Sequence, residues 1–223
     1  MSNPCLIISG GAYSPLPAGF PSGLFTIACD RGFRHARRMG ITPDLILGDF
    51  DSAERPHTDI PILQYPIEKD DTDTMLAVRY ALSQHYDELH IACAMGGRLD
   101  HAFANIQTAA FAAKNGAVCH LYGETENITV FSGCEMRFPR EEGRSLAVFS
   151  LSDRCFPVSL RGTLYQAEGI ELTGHFPLGM SNEWAAEEAV IHCGEGILMV
   201  MRSVSAHDRH LQDLTAEEKK NRL

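Results

Sequence analysis

Two aspartates, Asp49 and Asp51, stand two residues apart directly after the apolar run Leu45–Leu47. The run predicts a buried strand, and strand geometry places alternate side chains on the same side. Both carboxylates can therefore approach one hard cation, since Mg²⁺ prefers oxygen ligands and takes one or two protein carboxylates together with water and phosphate oxygens. The alternative interpretation is an acidic surface turn in which Ser52 caps the next segment.

A second acidic cluster, Lys69-Asp70-Asp71-Thr72-Asp73, opens a segment with helical periodicity. Asp and Thr side chains cap helices well, so capping alone could explain two of these residues. It does not explain three aspartates and a lysine in five positions, because like charges held together are unfavourable unless a cation or a phosphate organises them. The cluster therefore indicates further ligands for a metal–phosphate group.

A third motif, Gly96-Gly97-Arg98, lies between a predicted strand and a predicted helix. Glycine lets the backbone approach a ligand, a helix N-terminus favours an anion, and the guanidinium group matches the geometry of phosphate. A Gly-Gly turn is also typical of an ordinary structural loop, and this one is not a P-loop. We interpret His101 as a helix-start residue rather than a catalyst.

Two weaker candidates complete the set. Asp30 follows the predicted strand Leu24–Cys29 and could add a carboxylate to the same cleft, or it could pair with Arg31 or Arg34. The segment Gly179–Trp184 supplies small polar groups and the single tryptophan of the chain, although buried packing is the commoner fate of a tryptophan. Together the motifs favour phosphoryl-type transfer.

Strand and helix patterns alternate through the first part of the chain, which predicts a mostly parallel sheet covered by helices. The predicted strands are Cys5–Ser9, Leu24–Cys29, Leu45–Leu47, Ile62–Tyr65, Leu89–Ala94 and Ala117–Tyr122, and the predicted helices are Gly32–Met39, Thr74–His85 and Leu99–Lys114. Functional loops of such sheets lie beyond the carboxyl ends of the strands. Three of the polar motifs occupy that position, after Cys29, Leu47 and Ala94.

From residue 126 the pattern changes to short β-rich segments with no convincing amphipathic helix between them. These segments are Ile128–Phe131, Ser145–Leu151, Val158–Leu160, Ile170–Thr173, Ala189–His192 and Ile197–Met201. We therefore predict an α/β fold with an N-terminal, mostly parallel sheet flanked by helices and a C-terminal antiparallel β-sandwich. The predicted domains are residues 1–125 and 126–205, followed by a charged tail at 206–223.

Composition excludes several classes of protein. The 19 basic and 29 acidic side chains give a net charge of −10, which disfavours binding to nucleic acid. The seven cysteines are scattered without a Cys-x-x-Cys pair, so we expect buried free thiols in a reducing compartment rather than disulfides or a structural zinc site. No signal peptide or membrane-spanning apolar run is evident, and the expected location is the cytoplasm.

In their order along the chain, the motifs resemble those of thiamine pyrophosphokinases of the bacterial type over roughly residues 5 to 202. They are Cys29-Asp30-Arg31-Gly32, Pro43–Ser52, Lys69–Thr74, Gly96–His101 and Ser181-Asn182-Glu183, of which the middle three are the most specific. The resemblance implies an N-terminal α/β domain that binds nucleotide and Mg²⁺, and a C-terminal β-sandwich for thiamine binding and dimerisation. It also implies a homodimer with active sites between subunits.

The resemblance implies a role for each candidate residue. The implied catalytic residues are Asp49, Asp51, Asp73 and Arg98, with Mg²⁺ held by Asp49, Asp51 and Asp73 and with Asp30 near that cluster. The implied nucleotide site comprises Arg98, Leu99, Asp100, Thr72, Lys69 and Asp70, and the implied thiamine site comprises Ser181, Asn182 and Trp184. Two positions depart from the family pattern: Arg31 stands where relatives usually have glycine, and Trp184 where another aromatic residue is common.

The hypothesis that follows is attack of the thiamine hydroxyl on the β-phosphorus of ATP, giving thiamine diphosphate and AMP. Three alternatives stay open. Asp49-Phe50-Asp51 imitates the Asp-x-Asp nucleophile of haloacid-dehalogenase-type phosphatases, although that motif usually follows the first strand and here follows the third. A different acceptor, such as a pterin alcohol, would preserve the nucleotide motifs. A nucleotide-sensing module would bind ATP without forming AMP.

Overall fold

The computed structural model describes residues 2–50, 56–66 and 71–204. The chain divides into two compact units, Met1–Ser132 and Gly133–Leu223. The first unit contains the strands β1 (Pro4–Ile8), β2 (Phe25–Cys29), β3 (Leu45–Gly48), β4 (Ile62–Gln64), β5 (Glu88–Ala92), β6 (Val118–Tyr122) and β7 (Glu126–Phe131). Its helices are α1 (Gly32–Met39), α2 (Asp73–Ser83) and α3 (Leu99–Lys114).

The sheet of the first unit has the strand order β7-β6-β5-β1-β2-β3-β4. Strands β1 to β6 pair in parallel, and β7 runs antiparallel to β6. The central strands are almost wholly buried, which explains their continuous apolar sequence in place of an alternating one. The predicted α/β class is confirmed.

The chain changes direction across the sheet between β1 and β5. It continues from β1 through β2, β3 and β4 on one side and then returns to β5 and β6 on the other. Two backbone hydrogen bonds join the loops at this point, from the Ser9 amide to the Ala92 carbonyl at 2.9 Å and from the Gly11 amide to the Cys93 carbonyl at 3.1 Å. In open α/β sheets, ligands bind outside the carboxyl ends of the strands at such a switch point.

Small residues allow helix α1 to lie directly on the sheet. A Cβ atom at Gly32 would come within 2.0 Å of the Ile8 carbonyl oxygen, so only glycine fits at the start of this helix. One turn later, Ala36 packs into a buried cluster with Leu6 and Ile8. Gly40, at φ 72°, ends the helix in the left-handed conformation that glycine adopts without strain.

The second unit is built from antiparallel strands. These are β8 (Cys134–Pro139), β9 (Arg144–Ser150), β10 (Arg154–Arg161), β11 (Ala167–Thr173), β12 (Gly179–Asn182), β13 (Glu188–Glu195) and β14 (Leu198–Val204). One set of neighbours runs β12-β9-β14 and the other β11-β10-β13-β8. The described residues of this unit include no helix, as the sequence predicted.

The boundary between the units differs from the predicted one at residue 125. Strand β7 was assigned to the C-terminal domain, but it pairs along its length with β6 and belongs to the first unit. The reason is a short connection between two neighbouring strands, which favours an antiparallel pair within one sheet. Separately, none of the helices in the described part of the chain is long and apolar enough to span a membrane.

Candidate functional site

A cavity of about 760 Å³ opens at the carboxyl ends of β1, β2, β3 and β5 in the first unit. Its walls are the loops that follow these strands together with the first turns of α2 and α3. The charged side chains that line it are Asp30, Asp49, Asp71, Asp73, Arg31 and Arg98. Its remaining polar lining includes Ser9, Thr72, Thr74, His101 and Asn105.

Three of the predicted metal ligands come to this cavity from different parts of the chain. Asp30 follows β2, Asp49 follows β3, and Asp73 is the first residue of α2. The sequence placed Asp30 and Asp49 at strand ends, and the family resemblance joined Asp73 to them. Asp51, Lys69 and Asp70 lie outside the described residues.

The backbone at these strand ends adopts uncommon conformations. Asp30, Phe50 and Cys93, which follow β2, β3 and β5, have φ values of 33°, 57° and 55°. Non-glycine residues in this region carry local strain of roughly 1–3 kcal/mol each, and such residues cluster at ligand-binding sites. The Asp30 amide is held by a 2.8 Å hydrogen bond to the Leu47 carbonyl, which fixes the buried carboxylate at the edge of the cavity.

The charge of the lining bears on what the cavity can bind. Four carboxylates face two guanidinium groups, and one of the carboxylates, Asp71, is paired with Arg79 at 2.9 Å. Carboxylates gathered around one cavity favour a cation between them and a polyphosphate. The donor set therefore fits a hard divalent cation that binds together with phosphate oxygens.

The cavity is not a preformed metal cage. Within the described ranges, its carboxylates do not form a group of three whose ligand oxygens lie within 4.8 Å of one another. Mg²⁺ commonly keeps several waters and binds through one or two carboxylates plus substrate phosphates, so it does not require such a cage.

The glycine turn before α3 brings backbone to the cavity wall. Gly96 and Gly97 have φ values of 85° and 71°, which glycine tolerates without strain. The Arg98 guanidinium is held by Asp100 through two hydrogen bonds, Nε to Oδ1 at 3.1 Å and Nη2 to Oδ2 at 2.5 Å. The bond from Arg98 lowers the pKa of Asp100, so this carboxylate stays ionised and keeps the guanidinium oriented.

Helix geometry decides which residues of α3 reach the cavity. With 3.6 residues per turn, Arg98, His101 and Asn105 share the face that lines it. Leu99 and Asp100 were predicted in the nucleotide site, but they are not among the lining residues, and Leu99 is 83% exposed. His101 was set aside by sequence reasoning; its spacing of three from Arg98 is the signal that could have identified it.

Two further contacts fix the floor of the cavity. The Asn105 side-chain amide donates to the Ala94 carbonyl at 2.7 Å, which ties α3 to the end of β5. The hydroxyls of Ser9 and Thr74 lie 2.9 Å apart and join the loop after β1 to α2. Thr72 lines the cavity and also caps α2, since its hydroxyl accepts the Met75 amide at 3.1 Å.

Arg31 stands where relatives usually have glycine, and its backbone is unstrained. Its φ of −60° and ψ of −22° are ordinary helical values, so the backbone here does not require glycine. The side chain lines the cavity, where it adds a second guanidinium beside Arg98. The departure from the family pattern therefore changes the charge of the lining more than the course of the backbone.

The predicted thiamine residues lie in the second unit and differ in exposure. Asn182 is buried: its Oδ1 accepts the Tyr165 and Glu183 amides at 3.0 and 2.9 Å, and its Nδ2 donates to the Tyr165 carbonyl at 2.8 Å. Trp184 is also buried, and its indole N–H donates to the Phe138 carbonyl at 3.0 Å. Ser181 is exposed at φ 56°. Asn182 and Trp184 thus stabilise the unit itself, and their role toward thiamine stays a prediction.

The sheet and the charged cavity at its switch point define an α/β enzyme of the phosphotransferase class. A family model described as thiamin pyrophosphokinase, catalytic domain, matches residues 21–121. The thiamine pyrophosphokinase of Bacillus subtilis (strain 168) is 29% identical to this chain over 207 residues, which cover 88% of this chain and 97% of that protein. In sequence and in fold, this chain is therefore similar to thiamine pyrophosphokinases.

Solved structures agree with this assignment. The crystal structure of thiamine pyrophosphokinase from Bacillus subtilis superposes with a TM-score of 0.80 at 26% identity and covers 91% of this chain and 99% of that one. For the thiamin pyrophosphokinase of Geobacillus thermodenitrificans the TM-score is 0.77 at 24% identity, with coverage of 91% and 98%, and this likeness concerns the fold alone. The resemblance found in the sequence motifs is confirmed.

Proposed function

We propose that this chain transfers the diphosphate group of ATP to the hydroxyl of thiamine, forming thiamine diphosphate and AMP in thiamine diphosphate biosynthesis. One observation carries this most directly. The segment matched by the catalytic-domain family, residues 21–121, contains Asp30, Asp49, Asp73 and Arg98, and all four line one cavity. The match to the family model and the site geometry therefore support the same reaction.

The cavity aspartates are the proposed metal ligands. Asp49 and Asp73, with Asp51 from the sequence and Asp30 beside them, would hold Mg²⁺ at the strand ends. When bound, Mg²⁺ would supply neutralisation of phosphate charge. In support, carboxylates from three separate segments of the chain line one cavity, and carboxylate oxygens are the protein ligands that Mg²⁺ prefers.

The remaining residues have proposed roles in binding and orienting the phosphates. Arg98 presents a planar fork suited to phosphate, and Asp100 positions it from outside the cavity. The N-terminus of α3 directs its positive end at the same space. Thr72 and the predicted Lys69 and Asp70 would complete the nucleotide site.

Diphosphate transfer requires positioning more than covalent help. The thiamine hydroxyl attacks the β-phosphorus, the new oxygen–phosphorus bond forms, and the bond to the α-phosphate oxygen breaks to release AMP. Such a displacement depends on in-line geometry and on stabilisation of the phosphate oxygens. The chain's own contribution is therefore to fix Arg98 and the strand-end carboxylates around the reacting group.

The second unit is the proposed thiamine-binding and dimerisation part of a homodimer with active sites between subunits. Ser181, Asn182 and Trp184 are the proposed thiamine residues, of which Ser181 is exposed. Five large apolar side chains of this unit are more than half exposed, as expected of a surface that another subunit covers: Leu164, Tyr165, Phe176, Leu178 and Met180. The proposed location is the cytoplasm, where the substrates ATP and thiamine are both at hand.

Product analysis tests the proposed function. Purified chain is incubated with ATP, Mg²⁺ and a series of alcohols that includes thiamine and a pterin alcohol, and AMP, ADP and free phosphate are quantified. We expect AMP in amounts equal to thiamine diphosphate, with thiamine as the preferred acceptor. Release of free phosphate without acceptor would indicate a phosphatase, preference for another alcohol a different transferase, and ATP binding without AMP a sensor.

A further inference from the structure

A second group of ligand-type side chains lies on the sheet of the first unit. Glu88 and His90 are on β5, and His120 is on β6 directly opposite His90 in the parallel register. Because alternate residues of a strand face the same side, all three project from one face of the sheet. None of them lines the cavity, and Glu88 is the first residue of β5, whereas the cavity lies at the carboxyl end of that strand.

The ligand atoms of the three side chains already converge. Glu88 Oε1 lies 3.5 Å from His90 Nε2 and 3.5 Å from His120 Nε2. All three ligand atoms are within 4.8 Å of one another. Ligands bound at ~2.0–2.1 Å around tetrahedral zinc are separated by roughly 3.4 Å, so only a small closing movement of the two imidazoles is needed.

The other nitrogen of each imidazole has a hydrogen-bond partner. His90 Nδ1 lies 2.8 Å from the Tyr122 hydroxyl, and His120 Nδ1 lies 3.1 Å from the Thr129 hydroxyl. Histidines that bind metals characteristically use the second ring nitrogen in this way, which fixes the ring and leaves the first nitrogen as the ligand. Both Nε2 atoms are thus oriented toward the Glu88 carboxylate.

Aromatic packing surrounds the two imidazoles of this cluster. The His90 and His120 rings are stacked with centroids 4.9 Å apart, and the edge of Phe20 contacts His90 with centroids 5.1 Å apart. Burial lowers the pKa of His90 to about 4, and the hydrogen bond from His120 lowers the pKa of Glu88 to about 2. The stacking holds the two imidazoles side by side next to the Glu88 carboxylate.

We propose that Glu88, His90 and His120 bind a divalent transition-metal ion of the zinc type, at a site separate from the Mg²⁺ cavity. Two imidazoles and one carboxylate are a common ligand set for such ions, whereas Mg²⁺ prefers oxygen ligands alone. The side chain of Glu88 is 29% exposed, so a water can fill the fourth position from that side. The bound ion would cross-link β5 to β6.

The test is a zinc titration of the full chain after removal of metal by a chelator. Wild type is compared with His120→Gln and Glu88→Gln, and with His175→Gln as a control that removes an exposed histidine of the second unit. Calorimetry should show that wild type and the control bind one Zn²⁺ equivalent with high affinity at this site. The two cluster variants should bind that equivalent at least about tenfold more weakly. Zn²⁺ should also raise the Tm of wild type and the control more than that of the cluster variants.

Cobalt substitution gives a second, spectroscopic readout. Co²⁺ should produce visible absorption typical of tetrahedral nitrogen and oxygen ligands in wild type, and Glu88→Gln should lose it. Circular dichroism verifies that each variant folds. If His120→Gln does not fold, the comparison with wild type is made with Glu88→Gln alone. Equal Zn²⁺ affinity in wild type and both cluster variants would overturn the proposal, because a cluster that is only hydrogen-bonded predicts that result. Thiolate absorption bands with Co²⁺ would also overturn it, since they would place the ion on cysteine. Thiamine-dependent AMP formation is measured on the same variants, so that failure of the zinc site and failure of the proposed function can be told apart.

Discussion

At the scale of the residue, the cavity is defined by an excess of carboxylates held in fixed places. Asp30, Asp49 and Asp73 each begin or follow an element whose backbone is buried, so their separation is set by the sheet and not by the side chains. Arg98 is oriented by Asp100. Phosphoryl-type transfer depends on such preorganised charged groups.

Asp49→Asn tests the role of the strand-end carboxylates. The change keeps the size of the side chain but removes its charge and replaces one acceptor oxygen with an amide donor, so we expect kcat to fall roughly 100-fold or more while the Tm stays near that of wild type. Steady-state AMP formation measures the effect. Asp59→Asn, an exposed aspartate outside the cavity, is the matched control and should retain activity. Near-normal kcat in Asp49→Asn would contradict the metal assignment.

Arg31→Ala tests whether the second guanidinium of the lining contributes to nucleotide binding. We expect the KM for ATP to rise by about tenfold or less, since an exposed charge contact contributes modestly, and the effect should shrink as salt increases. Initial rates at varied ATP concentration measure it. Arg34→Ala, an exposed arginine of α1 that does not line the cavity, should leave the KM unchanged. Equal effects of the two variants would remove Arg31 from the site.

At the scale of the element, sequence patterns predicted most of the fold. The bounds of α1 and α3 agree with the structure, because a left-handed Gly40 and a left-handed Gly116 mark the helix ends. Strands β8 and β12 were missed: β8 alternates charged with partly buried residues, and β12 is Gly-Met-Ser-Asn, which has little β propensity. Their pairing comes from neighbouring strands that the sequence does not reveal.

The site was predictable to the extent that it follows from strand ends. Asp30, Asp49 and Arg98 follow predicted strands and line one cavity, because parallel strands bring their carboxyl ends to one edge of the sheet. Asp73, which the resemblance joined to them, lines the same cavity. The rotation of α3, which brings His101 in and turns Leu99 out, depends on where the helix starts relative to the sheet. The cluster of Glu88 with His120 depends on strand register, which no local pattern encodes.

Thr72→Val tests the link between α2 and the cavity. Loss of the hydroxyl that accepts the Met75 amide should lower the free energy of unfolding by about 1 kcal/mol, measured by urea denaturation. Thr72→Ser keeps the cap and should retain stability. If Thr72 also binds nucleotide through its hydroxyl, Thr72→Ser keeps activity as well, whereas equal stability of the Val and Ser variants would remove the capping role.

At the scale of the whole molecule, the described chain leaves apolar side chains exposed in the second unit, among them Phe176 and Leu178. A stable subunit interface buries roughly 1,600 Å² in total and is rich in such residues. The proposed homodimer accounts for their exposure in a single chain. The residues that line the charged cavity, in contrast, all belong to the first unit.

Phe176→Glu together with Leu178→Glu tests the proposed dimer. Sedimentation velocity should give twice the chain mass for wild type and a lighter species for the double variant, because a buried unpaired charge is costly. Gln107→Glu, on an exposed position of α3, is the charge control and should sediment like wild type. A wild-type monomer at micromolar concentration would contradict the dimer.

The most direct test of the central claim is a crystal structure of the chain with Mg²⁺, thiamine and a non-hydrolysable α,β-methylene analogue of ATP. We predict the phosphates in the cavity at the ends of β1, β2, β3 and β5, with Arg98 on a phosphate oxygen and Mg²⁺ between the phosphates and the carboxylates of Asp49 and Asp73. Nucleotide bound elsewhere on the chain, with these aspartates facing only water, would contradict it.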